Sequence, residues 1–324
     1  MSPDGMSPSG MSPNGMPHVA IIGGGFIGRA WSIVFARAGM KIALWDPDQA
    51  AAGASKDFIA ARLPELHQAG LITETPAVIL ARITIAPTME AATKGAVHVQ
   101  ENGPERLETK RQTFARLDAL LPPDIPLASS TSGIPASAFT ENLPGRHRCL
   151  VAHPVNPPYL VPLVELCPAP WTSPETITRT AALMRSAAMV PATLKREVAG
   201  FVLNRLQIAL VSEAFRLVAD GVISAEDIDA TVKHGLGLRW SFMGPFETID
   251  LNAPGGLSDY IDRYGPLYEQ VETEMTPIAF TPELIDDINN QRRAALPMEH
   301  HAERQTWRDR RLMALLAHKR TQPD

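Results

Sequence analysis

Cysteine is scarce in this 324-residue chain, which carries only Cys149 and Cys167. Neither stands in a C-x-x-C or other metal-type spacing. That excludes a disulfide-stapled scaffold or a zinc ribbon, and both residues read as small buried hydrophobes in a reducing compartment, the cytoplasm. Long apolar runs are also missing. No stretch approaches the roughly 20 residues that a membrane-spanning helix needs. There is no excess of positive charge: the formal net charge is -5, and a basic run such as Arg308-Asp309-Arg310-Arg311 is short and interrupted by acid. Neither nucleic acid nor membrane is an expected partner. The first residues lack the basic start and apolar core of a signal peptide and the arginines of a transit peptide.

What those first residues do contain is a period of five, MSPDG, MSPSG and MSPNG, followed by Met16-Pro17. Ser, Pro and Gly at this density cannot bury enough apolar surface to offset chain entropy, so residues 1–16 are expected to be a disordered, dispensable leader. An upstream start codon, with Met16 the effective beginning, is the equivalent reading. The remainder is 45% hydrophobic and 20% charged over the whole chain, a globular composition in a chain longer than one core usually serves. Two domains are therefore expected.

The run HVAII (18–22) reads as a strand, followed by glycines and a helix from about Phe26 to Ala38 closed by Gly39. KIALWD (41–46) is the next strand. A helix follows from about Pro47 to Ala69, ended by Gly70, with further strands at 82–86, 96–100, 125–130 and 148–153. Strand and helix alternating in this way predict an α/β, Rossmann-type doubly wound, mainly parallel sheet, with ligands beyond the carboxyl ends of its strands. Beyond Pro168 the pattern turns helical, at 174–189 and in a long helix from Ala199 to Ala219. Ser224 then caps the acidic turn SAEDID. The boundary is placed at residue 197, giving a dinucleotide-binding domain over 17–197 and an all-α substrate and dimerisation domain over 198–324.

Gly23-Gly24-Gly25-Phe26-Ile27-Gly28 fits G-x-G-x-x-G, and its place between a strand and a helix gives the pattern its meaning. Gly23 permits the tight turn, Gly25 lets backbone approach a pyrophosphate, and Gly28 lets helix and strand pack closely. Asp46 ends the second strand 18 residues after Gly28. A carboxylate there accepts hydrogen bonds from ribose hydroxyls and repels a 2′-phosphate, which favours NAD. A second group of residues closes the α/β region. Ser129-Ser130-Thr131-Ser132 follows a strand, and His153 opens the proline-stiffened HPVNPP. Glu165 sits inside the apolar run VPLVEL, where an acid is costly unless paired and a histidine is its natural partner. Asn204 is a polar residue in the long helix. Each of these alone has an ordinary structural explanation; their order behind a nucleotide loop is what points to catalysis. His300 and His301 are adjacent and so diverge on a helix, and no metal is expected.

The order GGGFIG, SSTS, HPVNP, VELCP and VLNR resembles the 3-hydroxyacyl-CoA dehydrogenase superfamily over the chain beyond Met16. HPVNPPYLVPLVEL, EVAGFVLNRLQ, GLGLRWSFMGP and RQTWRDRRLMALLA are similar to its lambda-crystallin branch, which includes L-gulonate 3-dehydrogenase. The resemblance implies Ser132, His153, Glu165 and Asn204 as the catalytic set, with Ser132 and Asn204 holding the reacting oxygen. It also implies Phe26, Ile27 and Asp46 as cofactor contacts. Glu105 and Lys110 match a pair near the cofactor, with Glu101 close enough to share that role. The implied reaction is NAD-dependent oxidation of a 3-hydroxyl with His153 as general base. Arg239, in the glycine-rich loop GLGLRW, suits a bidentate grip on a free carboxylate, or else a surface or interdomain ion pair. A carboxylate anchor makes L-gulonate the expected substrate. A 3-hydroxyacyl-CoA such as 3-hydroxybutyryl-CoA, L-carnitine with Trp240 and Phe242 near its cation, and a crystallin-like structural role remain open. The terminal helix around Trp307 and Arg308 resembles that of the branch, and a homodimer is expected.

Overall fold

The computed structural model describes residues 16–322, so the leader expected over 1–16 lies, except for Met16, outside the described residues. Eight strands form one sheet: β1 (His18–Ile22), β2 (Lys41–Trp45), β3 (Ile83–Ile85), β4 (His98–Glu101), β5 (Leu127–Ser129), β6 (Cys149–Pro154), β7 (Leu163–Pro168) and β8 (Val190–Thr193). Between them run α1 (Phe26–Arg37), α2 (Gln49–Gln68), α3 (Pro76–Ala81), α4 (Met89–Thr93), α5 (Leu107–Leu120), α6 (Ser137–Thr140) and α7 (Pro174–Ser186). The strand order is β3-β2-β1-β4-β5-β6-β7-β8, and every pairing is parallel except β6 with β7. The chain leaves β1 for β2 on one side and returns to β4 on the other. This puts the topological switch, where such sheets bind ligands, at the carboxyl ends of β1 and β4.

The alternation of a strand explains the two cores. Val19 and Ile21 pack on one face with Trp31, Val34 and Phe35 of α1, while Ala20 and Ile22 join Val99, Phe114 and Leu117 on the other. Both faces of the sheet are thus covered, as a parallel sheet requires. Asp48 caps α2 by accepting from the N–H groups of Ala50 and Ala51, and Gly39 and Gly70, both left-handed, terminate α1 and α2.

The helices α8 (Leu203–Ala219), α9 (Ala225–Thr231), α10 (Gly237–Trp240), α11 (Pro245–Asp250), α12 (Gly256–Glu274), α13 (Pro282–Ala295) and α14 (His301–Lys319) complete the described chain. The chain divides into two compact units, one of residues up to 203 together with those from 307, the other of residues 204–306. The end of the expected 198–324 domain therefore groups with the α/β unit. The reason is apolar: Met313 is buried in the first core, and Leu312, Leu316 and Ala317 pack against it.

Two elements differ from the sequence reading. The long helix begins at Leu203 instead of Ala199, because Gly200 and Phe201 have φ of 75° and 52° and a right-handed helix cannot run through left-handed residues. The short strand β8, which pairs in parallel with β7, was not anticipated.

The second unit is wholly helical. Ser224 caps α9 through the N–H of Asp227, and Arg292 of α13 pairs with Asp229 of α9 at 3.1 Å. Its longer helices α12 and α13 bury no residue, and Ile261, Leu267 and Val271 of α12 are exposed.

Candidate active site

The glycine loop lies at the switch between β1 and β4. Gly23 has φ of 94°, and a Cβ there would stand 2.8 Å from the Asn102 carbonyl oxygen. At Gly28 a Cβ would fall 1.8 Å from the carbonyl oxygen of Gly23, so only glycine lets α1 pack this closely on the turn. Gly25 is different: nothing stands within 4 Å of where its Cβ would be, and as N-cap of α1 it offers no side-chain hydrogen bond to the first turn. Open space in front of uncapped helix N–H groups is what a dinucleotide diphosphate requires, and the loop fits one. Phe26 is exposed beside it, and Ile27 is half-buried. Asp46 follows β2, where its Oδ2 accepts from Gly24 N at 2.7 Å and its Oδ1 from Asp48 N at 2.9 Å. Those two bonds fix the carboxylate at the loop while leaving further lone pairs for ribose hydroxyls.

Residues 129–132 are tied down one after another. Ser129 Oγ donates to Glu101 Oε2 at 2.6 Å, and Ser130 Oγ accepts from Trp31 Nε1 and Gln100 Nε2 at 3.0 and 2.7 Å. Glu105 Oε1 accepts from the Thr131 hydroxyl and from the N–H groups of Ser132 and Gly133. Ser132, exposed at the end of this series, is presented by a carboxylate-held turn. The share left open between Glu101 and Glu105 is thereby divided. Lys110 Nζ, almost fully buried, is 3.0 Å from Glu101 Oε2 and 4.0 Å from Glu105 Oε2. Glu101 is the main partner of Lys110, and Glu105 chiefly shapes the Ser132 turn.

His153 of β6 and Glu165 of β7 are directly opposed in the antiparallel register, so their side chains share one face. His153 Nδ1 and Glu165 Oε2 are 2.9 Å apart, and both residues are buried. The other carboxylate oxygen accepts from Val202 N at 2.8 Å and Leu203 N at 2.9 Å, the amides that open α8. Burial alone would push the Glu165 carboxyl up. The bonds from His153, Leu203 and Val202 together outweigh it and hold the group below its ordinary value. An ionised carboxylate can only accept, so Nδ1 carries the hydrogen and Nε2 is the basic nitrogen of the neutral ring. Phe201, fully buried, packs on the imidazole with ring centroids 5.3 Å apart. In the sequence this residue looks like one more apolar position of a helix, and only the left-handed turn at 200–201 reveals its place. The β6–β7 connection is shaped by a cis Asn156–Pro157 bond.

Asn204 and Arg239 lie in the second unit, Asn204 next after Leu203 in α8 and Arg239 in α10, directly beyond a single π-helical turn at Val232–Leu236. Among the described residues no acid pairs with Arg239. Cys149 and Cys167 are buried free thiols, each pushed up to about 12 by burial. No group of described residues could hold a metal ion, and no described helix is long and apolar enough to cross a membrane.

Comparison with known proteins gives the family. Residues 18–198 match the model of the 3-hydroxyacyl-CoA dehydrogenase NAD-binding domain, and residues 200–295 that of the C-terminal domain of the same family. A human lambda-crystallin homolog is 42% identical over 92% of this chain and 94% of its own length. An L-carnitine dehydrogenase of Streptomyces griseus is 41% identical over 76% of this chain and 73% of its own. Among solved structures, the NAD+-dependent dismutase 5-formyl-3-hydroxy-2-methylpyridine 4-carboxylic acid 5-dehydrogenase superposes with a TM-score of 0.82. It is 25% identical and covers 95% of this chain and 100% of that one. With both domain matches spanning nearly all of the described chain, the protein belongs to the 3-hydroxyacyl-CoA dehydrogenase family and is an NAD-dependent oxidoreductase acting on a CH–OH group.

Proposed function

We propose that this chain oxidises the 3-hydroxyl of a small hydroxy acid, with L-gulonate the first candidate, using His153 as general base. The observation that carries the reading is the buried His153–Glu165 pair, which fixes the imidazole tautomer and leaves Nε2 for a substrate hydroxyl. NAD+, when bound, supplies the hydride acceptor. His153 Nε2 takes the hydroxyl proton as the carbon loses hydride, and Glu165 stabilises the imidazolium so formed. Its bonds to Val202 and Leu203 lower its proton affinity, so it stays ionised and the proton remains on the imidazole. Ser132 and Asn204 hold the reacting oxygen and decide which face of the carbon meets the nicotinamide. Gly23, Gly25, Phe26, Ile27, Gly28 and Asp46 hold the dinucleotide. Glu105 and Lys110 brace the turn beside it.

The carboxylate end of the substrate is assigned to Arg239, whose planar fork matches a carboxylate and has no acid partner among the described residues. L-carnitine is the second reading, favoured by the exposed aromatic rings of Trp240 and Phe242 beside Arg239, which could face a trimethylammonium group. Its occupants aside, the complete set Ser132, His153, Glu165 and Asn204 supports an enzyme over a purely structural crystallin. The exposed apolar faces of the second unit support a homodimer, and the two free buried thiols support the cytoplasm.

The test is NADH formation by purified protein with L-gulonate, L-carnitine, 3-hydroxybutyrate and 3-hydroxybutyryl-CoA. L-gulonate should give the highest kcat/KM. His153→Gln should lower kcat by about 10²–10⁴ with NADH affinity unchanged. Arg239→Ala should raise KM for the acid. Normal turnover by a folded His153→Gln protein, or a CoA ester preferred over every free acid, would overturn the corresponding assignment.

A further inference from the structure

Arg29 stands one residue past Gly28, in the first turn of α1. Its guanidinium carbon is 3.7 Å from the ring centre of Phe58 in α2 and 4.8 Å from that of Phe26. A guanidinium between two rings spends its faces on stacking and keeps its N–H edges for hydrogen bonds. Among the described residues those edges meet no acceptor, and the Nε is buried with no partner at all. The surrounding charges do not compensate it. Arg62 lies 5.5 Å from the ring of the same Phe58, but its acid, Glu65, is shared with Arg310 at 3.6 Å. Arg308 is occupied by Asp309 at 2.7 Å, and Tyr159, pushed up to about 12 chiefly by burial, is a neutral phenol. Arg62 and Arg310 thus share Glu65, Arg308 takes Asp309, and Arg29 is left with no acid among the described residues. Helical side chains lean toward the amino end of their helix, which here is the glycine loop.

We propose that Arg29, clamped between Phe26 and Phe58, is an oxyanion grip beside the glycine loop. It takes either the diphosphate of NAD or the carboxylate of the substrate, and it rests on the dehydrogenase reading above. The rings hold the fork in a bound-like orientation before any ligand arrives, so little side-chain freedom is lost on binding. Phe26 then has two functions, flooring the cofactor loop and fixing the arginine.

The test measures the Kd of NADH by fluorescence titration, and the KM of L-gulonate, for wild type and for Arg29→Ala, Arg29→Gln, Arg29→Lys and Phe58→Leu. Melting temperature serves as the fold control. If the grip serves the diphosphate, Arg29→Ala and Arg29→Gln should weaken NADH binding at least tenfold. Arg29→Lys should recover part of it, and Phe58→Leu should show a smaller loss. If it serves the carboxylate, KM for L-gulonate should rise by a similar factor while NADH affinity holds. Folded Arg29→Ala and Arg29→Gln proteins that keep both quantities within twofold of wild type would overturn the proposal. A wild type that binds NADH but turns over none of the free acids would sink the substrate reading, leaving the NADH arm to decide the case of Arg29.

Discussion

His98 lies in β4 with no exposure, its Nε2 3.1 Å from Gln100 Oε1 and its Nδ1 without a partner. Burial lowers it to about 4, against a weaker upward pull from Gln100, so the folded protein holds a neutral imidazole that the unfolded chain would protonate from 6.5 downward. The sign follows from that. Stability from this group is complete above pH 6.5, falls as pH drops toward 4, and changes no further below it. At about 1.36 kcal/mol per pH unit, the loss across that window comes to about 3 kcal/mol. Glu165 is lowered too, but from 4.5, so its stabilisation is present above that value and is lost only in stronger acid. His98 therefore acts before Glu165. Denaturant unfolding at pH 7 and pH 4.5 should show a clearly smaller acid loss for His98→Gln than for wild type, whatever the variant's stability at pH 7. Equal losses would show that His98 is not the acid-labile group.

The glycine loop separates two roles that the pattern G-x-G-x-x-G merges. Gly28→Ala forces a methyl group into the Gly23 carbonyl, so α1 must lift from the sheet, and both melting temperature and NADH affinity should fall. Gly25→Ala meets open space, and its φ of -63° suits any residue. It should leave the melting temperature within a degree or two while weakening NADH at least tenfold, because the methyl group would stand where the diphosphate is proposed to approach. Loss of stability in Gly25→Ala would mean that the loop is structural at both positions. This part of the molecule was legible because steric need and sequence coincide: glycine at 23 and 28, acid at 46, and a continuous apolar run in β1, buried on both faces. The His153–Glu165 partnership was legible for a similar reason, since an acid inside VPLVEL had to be paired. The junction at 200–203 was not. Nothing in AGFVLNR distinguishes a left-handed Phe from a helical one, and the amide partners of Glu165 exist only once that turn is made. Nor could spacing apportion Lys110 between Glu101 and Glu105, because the choice depends on where β4 ends and the chain bends.

Taken whole, the chain pairs a first unit with two filled cores and a second unit rich in uncovered apolar side chains, among them Ile208 of α8 and Leu267 of α12, 59% and 52% exposed. Contiguous apolar exposure of this kind on a globular domain signals association. Sedimentation should find a dimer, and Ile208→Asp with Leu267→Asp should shift it toward monomer while the first unit still binds NADH. A monomeric wild type would refute the dimer. The carboxylate behind His153 has a consequence for how such a protein could be rebuilt. It hangs from the backbone of residues 202 and 203, beyond the point where the coenzyme-binding domain ends by family resemblance at 198. A fragment cut at that seam would keep every residue proposed to hold the nucleotide and both members of the His–Glu pair, yet the pair would lose its anchor. The modules can be recognised separately in sequence, but they cannot be exchanged at that border without disturbing the proposed acid–base pair.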